Sequence, residues 1–249
     1  MSRPPETSLA LDELSWIDVA AHLARDPRLI IPVGALEQHG PHLPLGTNVL
    51  VARKLALDLS QEQAVLRAPT MYYGVNVRSE RGYAGTATLT HKTLHRALNE
   101  LLASWETQGI AEFILISAHR HEPHLDALAT LVTMAARVRV VSAWDVDISD
   151  LLEMQPGPLH GCEAETSVML HLYPELVRMD RARDFELSEK DFERYIRDRL
   201  PKPPRGGAGL IGYPTAATAA KGAAIYTRMC TDIQTAIFAV QGDPESDTI

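Results

Sequence analysis

The sequence predicts an α/β fold, a three-layer α/β/α sandwich with a mostly parallel central sheet. Short apolar runs rich in branched residues alternate with amphipathic helical patterns along the 249 residues. Such alternation produces parallel βαβ units with helices on both faces of the sheet. Polar clusters also follow two of the apolar runs directly, where open parallel sheets place their ligands. We expect one domain over 1–249, ordered over about 10–240, with a flexible tail at 241–249.

The first part of the chain contains two strand patterns separated by a helix. Residues 28–35 are a branched apolar run bounded by a proline and a glycine, which predicts a buried strand. Residues 49–63 carry apolar side chains at helical spacing and predict an amphipathic helix. A short strand is predicted at 64–73, and the glycines of 74–85 predict a loop.

The middle of the chain repeats the alternation. The clearest helix is 89–109, which starts after Thr90 as N-cap and stops at a glycine. An apolar strand at 111–119 leads into a histidine-rich turn. A helix at 124–138 and a strand at 138–144 follow, which completes a second βαβ pattern.

The last third is mostly helical in pattern. Residues 165–174 predict a short amphipathic helix, and 180–200 is a charged segment predicted to lie on the surface. The Pro/Gly-rich linker 201–209 is predicted to be irregular. The alanine-rich stretch 215–240 predicts a long helix that serves packing.

Composition excludes several functional classes. A formal net charge of -8 argues against nucleic acid and anionic membranes as partners. No apolar run is long enough to span a bilayer, and the N-terminus lacks a signal-peptide pattern. The two cysteines do not form a disulfide framework. We therefore expect a cytoplasmic protein, and its size favours an enzyme.

The first polar cluster lies in the segment GALEQHGPHLPLGTN at 34–48. Glu37 and His39 are one residue apart, so in an extended backbone they project to the same side. A carboxylate and an imidazole together suit zinc, manganese or iron. Alone the pair is weak evidence, because most such pairs are surface or hydrogen-bonded groups.

The second cluster follows the strand at 111–119. It offers His119, His121, Glu122 and His124 within six residues. An H-x-H pattern again places two imidazoles on one side of the chain. A solvated polar turn is the alternative, but two such clusters at the ends of strands together favour a metal site.

The third cluster is HGCEAETS at 160–167. His160 is a candidate general acid or base because an imidazole titrates near neutral pH. Glu163 and Glu165 are candidate ligands or bases, although carboxylates are also common in the first turn of a helix. Cys162 is a nucleophile only in principle, since nothing distinguishes it from a small core residue.

These segments carry a resemblance to a known family. The string PVGALEQHGPHLPLGT at 32–47 resembles the signature of the creatininase (creatinine amidohydrolase) family. His160 to Ser167 resembles its H-A-G-x-x-E-T-S, and IGYPTAATAAKG at 211–222 resembles its C-terminal G-D-P-T-x-A-T-A-x-x-G. The similarity extends from about residue 10 to 240, nearly the whole chain.

The resemblance implies a three-layer α/β/α hydrolase of C–N bonds in small linear or cyclic amides, often hexameric, with one or two divalent metals (Zn, Mn or Fe) per chain. By position, Glu37 and His119 would ligate the first metal and His39 the second. His160 would carry protons to the leaving nitrogen, and Glu165 would ligate or orient a ligand.

The chain departs from the family pattern at three places. Asn48 stands where the family has an Asp that bridges two metals, and a neutral amide is a poor bridge. His121 stands where creatininase has a carboxylate, beside Glu122, a further candidate for catalysis. The family's Glu-His falls in 79–86, which has no histidine.

These departures leave three alternatives. The site holds one metal, holds two with His121 or Glu122 recruited, or has lost catalysis and serves an oligomeric binding or scaffold protein. We favour a metal-dependent amidohydrolase over the third alternative, because four candidate residues persist together at matching positions: Glu37, His39, His119 and His160. A peptidase acting on a modified peptide is the nearest enzymatic alternative.

Overall fold

The computed structural model describes residues 8–200, 202 and 206–238. Its strands are β1 (Arg28–Val33), β2 (Leu66–Arg67), β3 (Glu112–Ser117) and β4 (Arg137–Ser142). Its α-helices are α1 (Trp16–Leu23), α2 (Thr47–Gln63), α3 (His91–Glu106), α4 (Glu122–Ala129), α5 (Glu163–Leu172), α6 (Glu189–Ile196) and α7 (Ala219–Phe238). The predicted tail at 241–249 lies outside the described residues.

The four strands form one parallel sheet in the order β2-β1-β3-β4. In β1 and β3 the register pairs Val33 with Ser117, and Ser117 pairs in turn with Ser142 of β4. The three longer strands therefore end level with one another. The segments that follow them leave the sheet at a common edge, as expected for a ligand site in an open α/β sheet.

Helices cover both faces of this sheet. Ile30 of β1 belongs to a core shared with residues of α2, α5 and α7. Its neighbours Leu29 and Ile31 belong to a second core shared with α3 and α4. Because successive side chains of a strand point to opposite faces, β1 is buried on both. The predicted α/β/α sandwich with a parallel sheet is confirmed.

Two predicted elements are shorter than expected. The helix predicted over 124–138 ends at Ala129. The carboxylate of Glu106 on α3 accepts the backbone N–H groups of residues 134, 135 and 136, which holds this stretch in a non-helical path. The strand predicted over 64–73 narrows to Leu66–Arg67. Pro69 has no N–H to donate to a sheet ladder.

Other segments gain structure that the sequence pattern did not indicate. The charged segment 180–200 contains α6, with Ser188 as N-cap accepting the Asp191 N–H at 3.2 Å. Helix α1 was not predicted. Thr90 caps α3 as expected, accepting the Thr93 N–H. Within the described chain, no helix combines the length and the apolar character needed to cross a bilayer.

Candidate metal centre

One pocket, about 760 Å³ in volume, lies at the edge of the sheet where β1, β3 and β4 end. Eight of the candidate residues from the sequence line it: Glu37, His39, Asn48, His119, His121, Glu122, His160 and Glu165. They come from four separate stretches of the chain. The fold therefore brings the three sequence clusters to a single place.

Glu37 and His39 lie on the loop that follows β1. The Glu37 N–H donates to the carbonyl of Leu45 at 3.0 Å, which closes this loop on itself. Gly40 adopts a φ of 78°, in the left-handed region that favours glycine, and lets the chain turn back. Both Glu37 and His39 are buried.

Asn48 reaches the same place from the first turn of α2. A Cβ atom on Gly34, the residue after β1, would lie 2.6 Å from the Cα of Val49. Glycine at this position therefore lets α2 begin against the end of the strand. As a result, the Asn48 amide is buried beside the β1 loop.

His119 and His121 follow β3, the neighbour of β1. Both donate an N–H to the carbonyl of Val75, from His119 Nε2 at 2.9 Å and from His121 Nδ1 at 2.7 Å. Each is only 5% exposed, which excludes the solvated polar turn. His124 packs in the core instead, where its Nδ1 accepts the Val75 N–H and its Nε2 contacts Ser117.

His160 and Glu165 come from the start of α5. His160 Nε2–H donates to the carbonyl of Gln38 at 2.6 Å. Glu165, in the first turn of the helix, accepts the Gly161 N–H on Oε2 at 2.6 Å. Its Oε2 also lies 3.9 Å from His39 Nε2. The third cluster therefore joins the first.

The other polar residues of the third cluster have structural roles. Glu163 is fully buried and accepts the Lys221 ammonium at 2.6 Å and the Glu153 N–H at 3.1 Å. Burial raises the pKa of the Cys162 thiol to about 11, so it stays protonated at neutral pH. A protonated thiol is a weak nucleophile.

Three imidazoles surround the Glu37 carboxylate. Ligand atoms of Glu37, His39 and His160 lie within 4.8 Å of one another. The Glu37 Oε2 is 3.4 Å from His119 Nδ1 and 4.0 Å from His160 Nδ1. These separations are short enough for one ion to contact several of the groups.

Backbone carbonyls assign the tautomers of these imidazoles. A neutral imidazole carries one N–H, and the carbonyl partners place it on His39 Nδ1, His119 Nε2 and His160 Nε2. The other nitrogen of each ring therefore presents a lone pair toward the cluster. Burial lowers the pKa of His39 to about 4 and those of His119 and His160 well below the usual value, which keeps all three neutral.

The Asn48 amide can satisfy only one of the two lone pairs that it contacts. Its Oδ1 lies 3.2 Å from His39 Nε2, while its Nδ2 lies 3.1 Å from His119 Nδ1. Turning the amide over exchanges these contacts, so in either orientation the amide oxygen faces an imidazole lone pair. Buried acceptors that face each other are unfavourable.

The surroundings of the buried carboxyl groups also disfavour their ionised forms. Burial, followed by the charges of Glu80 and Glu165, raises the pKa of Glu37 well above its usual value. Burial raises the pKa of Glu165 to about 8 and that of Glu80 to about 7. Glu37 Oε1 and His121 Nε2 are buried and have no hydrogen-bond partner among the described residues.

A divalent cation fits this arrangement. It would accept the lone pairs of His39 and His119 together with the orphaned Glu37 oxygen and the Asn48 oxygen, which removes the repulsion between acceptors. Imidazole nitrogen with carboxylate oxygen suits zinc, manganese or iron. Such an ion would also favour the ionised carboxylates that burial otherwise opposes.

Sequence reasoning did not identify Gln38, Phe192 or Tyr195 at this site. Gln38 bridges the site, contacting the Glu80 carboxyl, the Gly209 carbonyl and, at 3.0 Å, His160 Nε2. Phe192 and Tyr195 of α6 line the pocket. Gln38 lies inside the recognised motif, yet only the fold shows that it contacts Glu80. The α6 residues carried no signal, because they belong to a segment that is charged overall.

A parallel α/β sheet with buried imidazoles and carboxylates at its carboxyl edge is typical of metal-dependent hydrolases. A family model described as creatininase, creatinine amidohydrolase, matches residues 12–237. The chain belongs to the creatininase family, an amidohydrolase family, as the sequence motifs predicted.

Individual relatives agree with this placement. The chain is 30% identical over 226 residues to the mycofactocin precursor peptide peptidase of Mycobacterium tuberculosis, covering 83% of this chain and 82% of that protein. It is 29% identical over 199 residues to the creatinine amidohydrolase of Pseudomonas putida, covering 71% and 76%. A solved structure titled creatininase Mn superposes with a TM-score of 0.77 at 25% identity, covering 93% and 98%.

Proposed function

We propose that this protein is a metal-dependent amidohydrolase that cleaves a C–N bond of an amide. The observation that carries the proposal is the convergence of three neutral imidazole lone pairs on the buried Glu37 carboxylate. The relatives support it, since one is named a creatinine amidohydrolase and another a peptide peptidase.

Glu37, His39 and His119 would hold one or two divalent ions, with Asn48, His121 and Glu165 as the further donors within the pocket. A zinc, manganese or iron ion held there would supply polarisation of an amide carbonyl and a more acidic attacking water. Asn48 is the weakest donor of the set because an amide oxygen carries no formal charge.

Three other side chains would transfer a proton, position a metal ligand and contact the substrate. In the hydrolysis, water forms a C–O bond to the carbonyl carbon, the C–N bond breaks, and the leaving nitrogen gains a proton. His160 Nδ1 would carry that proton, because its Nε2–H is engaged with the Gln38 carbonyl and Nδ1 faces the cluster. Glu165 is a positioning carboxyl beside His39. Glu122, exposed at the start of α4, would contact substrate at the pocket mouth.

Metal content tests this proposal directly. Protein purified without chelator, or dialysed against zinc, manganese or iron(II), should contain one to two equivalents of metal per chain by plasma emission spectrometry. His119→Ala should lower the affinity for metal at least about tenfold, because it removes one donor nitrogen. His22→Ala, on α1 outside the pocket, is the control. Protein that takes up none of the three metals would contradict the proposal.

The role of His160 is tested by His160→Gln. We expect this variant to keep its metal and to lose about 100-fold or more in kcat on any amide that the wild type turns over, since the proton carrier is removed. Loss of metal together with activity would make His160 a ligand instead. Metal-bound wild type with no turnover of linear, cyclic or peptide amides would favour the non-catalytic binding protein.

A peptidase acting on a modified peptide is the second candidate. The 30% identical relative supports it, as does a pocket of about 760 Å³, which has room for several residues. Homo-oligomeric assembly, a hexamer by family resemblance, and a cytoplasmic location remain predictions. Size-exclusion chromatography with light scattering tests the first.

A further inference from the structure

We propose that the amide cleaved here carries a bulky, uncharged apolar group, which packs against a wall built by α4, α6 and the end of β4. This inference rests on the proposed function and deepens it by naming the class of substrate. It comes from the part of the pocket that the metal cluster does not use.

One face of α4 lines the pocket. Glu122, Leu125, Asp126 and Ala129 follow the i, i+3, i+4, i+7 spacing that places residues on one side of a helix, and all four line the pocket. Leu125 and Ala129 make this side apolar, while the two carboxylates are exposed at the mouth.

Helix α6 contributes an aromatic pair. Phe192 and Tyr195 are three residues apart, line the same pocket and are half-buried, whereas Glu193 and Arg194 between them are exposed. This otherwise charged helix therefore presents its aromatic side to the pocket and its charged side to solvent. Burial, followed by the nearby carboxyls of Glu80, Glu37 and Glu165, raises the pKa of the Tyr195 phenol well above its usual value, as expected for a side chain close to the cluster.

A third apolar side lies between these helices and the cluster. Trp144, after β4, lines the pocket and is held by its indole N–H, which donates to the Ala118 carbonyl at 2.9 Å. Pro158 and Leu159, just before His160, also line the pocket. An amide at His160 would therefore have apolar side chains directly beside it.

The size and charge of the pocket fit this occupant. A volume of about 760 Å³ is in the range of pockets for drug-sized ligands, well beyond a single small amide. Arg120 at the lining lies 3.9 Å from the Asp145 carboxylate, which offsets its charge. The exposed carboxylates of Glu122 and Asp126 disfavour an anionic substituent.

A matched pair of hydroxamates tests the inference. Acetohydroxamic acid and 3-phenylpropanohydroxamic acid share one metal-binding head group and differ in the apolar part. Titration calorimetry on zinc-loaded protein should give at least about tenfold tighter binding of the phenyl compound, as expected for burial of an aromatic ring. Equal affinities for the two compounds would overturn the inference.

Substitutions in the wall test whether the preference for the phenyl hydroxamate depends on α6. Phe192→Ala should reduce the preference about fivefold or more and leave acetohydroxamic acid binding unchanged, whereas Glu193→Ala on the exposed side of α6 should change neither. Leu125→Gln on α4 is the second variant, should Phe192→Ala not fold. A preference that survives both wall substitutions would contradict the proposed wall.

Failure of the metal proposal is distinguishable from failure of this inference. In protein that takes up no zinc, ligand-observed NMR with 3-phenylpropanamide and acetamide repeats the comparison without a metal. Binding of the phenyl amide alone, lost in Phe192→Ala, would support the inference while contradicting the metal-dependent function. No selectivity between the two amides would overturn the inference there as well.

Discussion

At the scale of single residues, we expect Asn48 to determine how many metal ions the cluster holds. Its amide lies between His39 and His119 and is within 3.5 Å of the Glu37 carboxylate. This central position is the one from which a carboxylate could reach donors on both sides. An amide contributes a single uncharged oxygen, which favours one ion over two.

Asn48→Asp should therefore raise the amount of metal bound toward two equivalents per chain and tighten binding at least about tenfold, because a buried negative charge attracts both ions. Plasma emission spectrometry after equilibrium dialysis measures the change. Asn48→Ala, which removes the amide without adding charge, should not raise the metal content. Unchanged metal content in Asn48→Asp would mean that this side chain does not face the ions.

The candidate residues were predictable because they follow strands or begin a helix within short motifs. Glu37, His39 and His119 come directly after β1 and β3, so the alternation of strands and helices already places them at one edge. The contact between Gln38 and Glu80 depends on the path of the 74–88 loop, and the wall position of Phe192 depends on α6. The path of a loop is set by tertiary packing, which local sequence patterns do not predict.

At the scale of secondary-structure elements, the contact between α5 and α7 positions the part of the site that α5 contributes. A Cβ atom on Gly222 of α7 would lie 1.8 Å from the carbonyl oxygen of Ser167 on α5. Glycine therefore lets the two helices approach with their backbones almost in contact. Glu165, which lies in the first turn of α5, owes its position to this packing.

Gly222→Ala should lower the free energy of unfolding by about 2 kcal/mol, since the added methyl overpacks a backbone contact and this cost exceeds the higher helix propensity of alanine. Urea unfolding followed by circular dichroism measures it. Gly82→Ala, where nothing lies within 4 Å of an added Cβ, is the matched control and should change little. Equal unfolding midpoints in the two variants would contradict the close packing.

Elements whose stability is local were predicted well, and elements fixed by distant contacts were not. The strands β1, β3 and β4 are branched apolar runs, and their positions agree with the prediction. Helix α4 ends early because Glu106, on a different helix, captures the backbone that follows. A helical pattern in the sequence does not reveal a hydrogen-bond acceptor that another helix supplies.

For the whole molecule, the buried carboxyls make stability depend on pH. Glu80 and Glu165 keep their protons in the folded chain up to pH values of about 7 and about 8, against an ordinary pKa of 4.5. The folded state therefore binds more protons in this window, and stability falls as pH rises. Six histidines whose pKa is lowered by burial act in the opposite direction, chiefly below pH 7: His39, His42, His119, His121, His124 and His160.

Between pH 7 and 8, where the carboxyls outweigh the histidines, the metal-free protein should therefore lose about 1 kcal/mol of unfolding free energy. Thermal unfolding in the presence of a chelator should show Tm falling across this interval. Glu165→Gln should flatten the dependence, because it removes one group that must ionise. Saturating zinc should reverse it, since the ion favours the ionised carboxylates. A Tm that rises with pH in metal-free protein would contradict the assigned directions.

The carbonyl groups that hold the imidazoles belong to the main chain of residues 37, 38 and 75. Substitution of the Val75 side chain therefore leaves the acceptor for two of these histidines in place. The orientation of the histidines consequently depends on the path of the backbone as much as on the side chains of the neighbouring residues. A relative with another side chain at position 75 can therefore still present the same lone pairs.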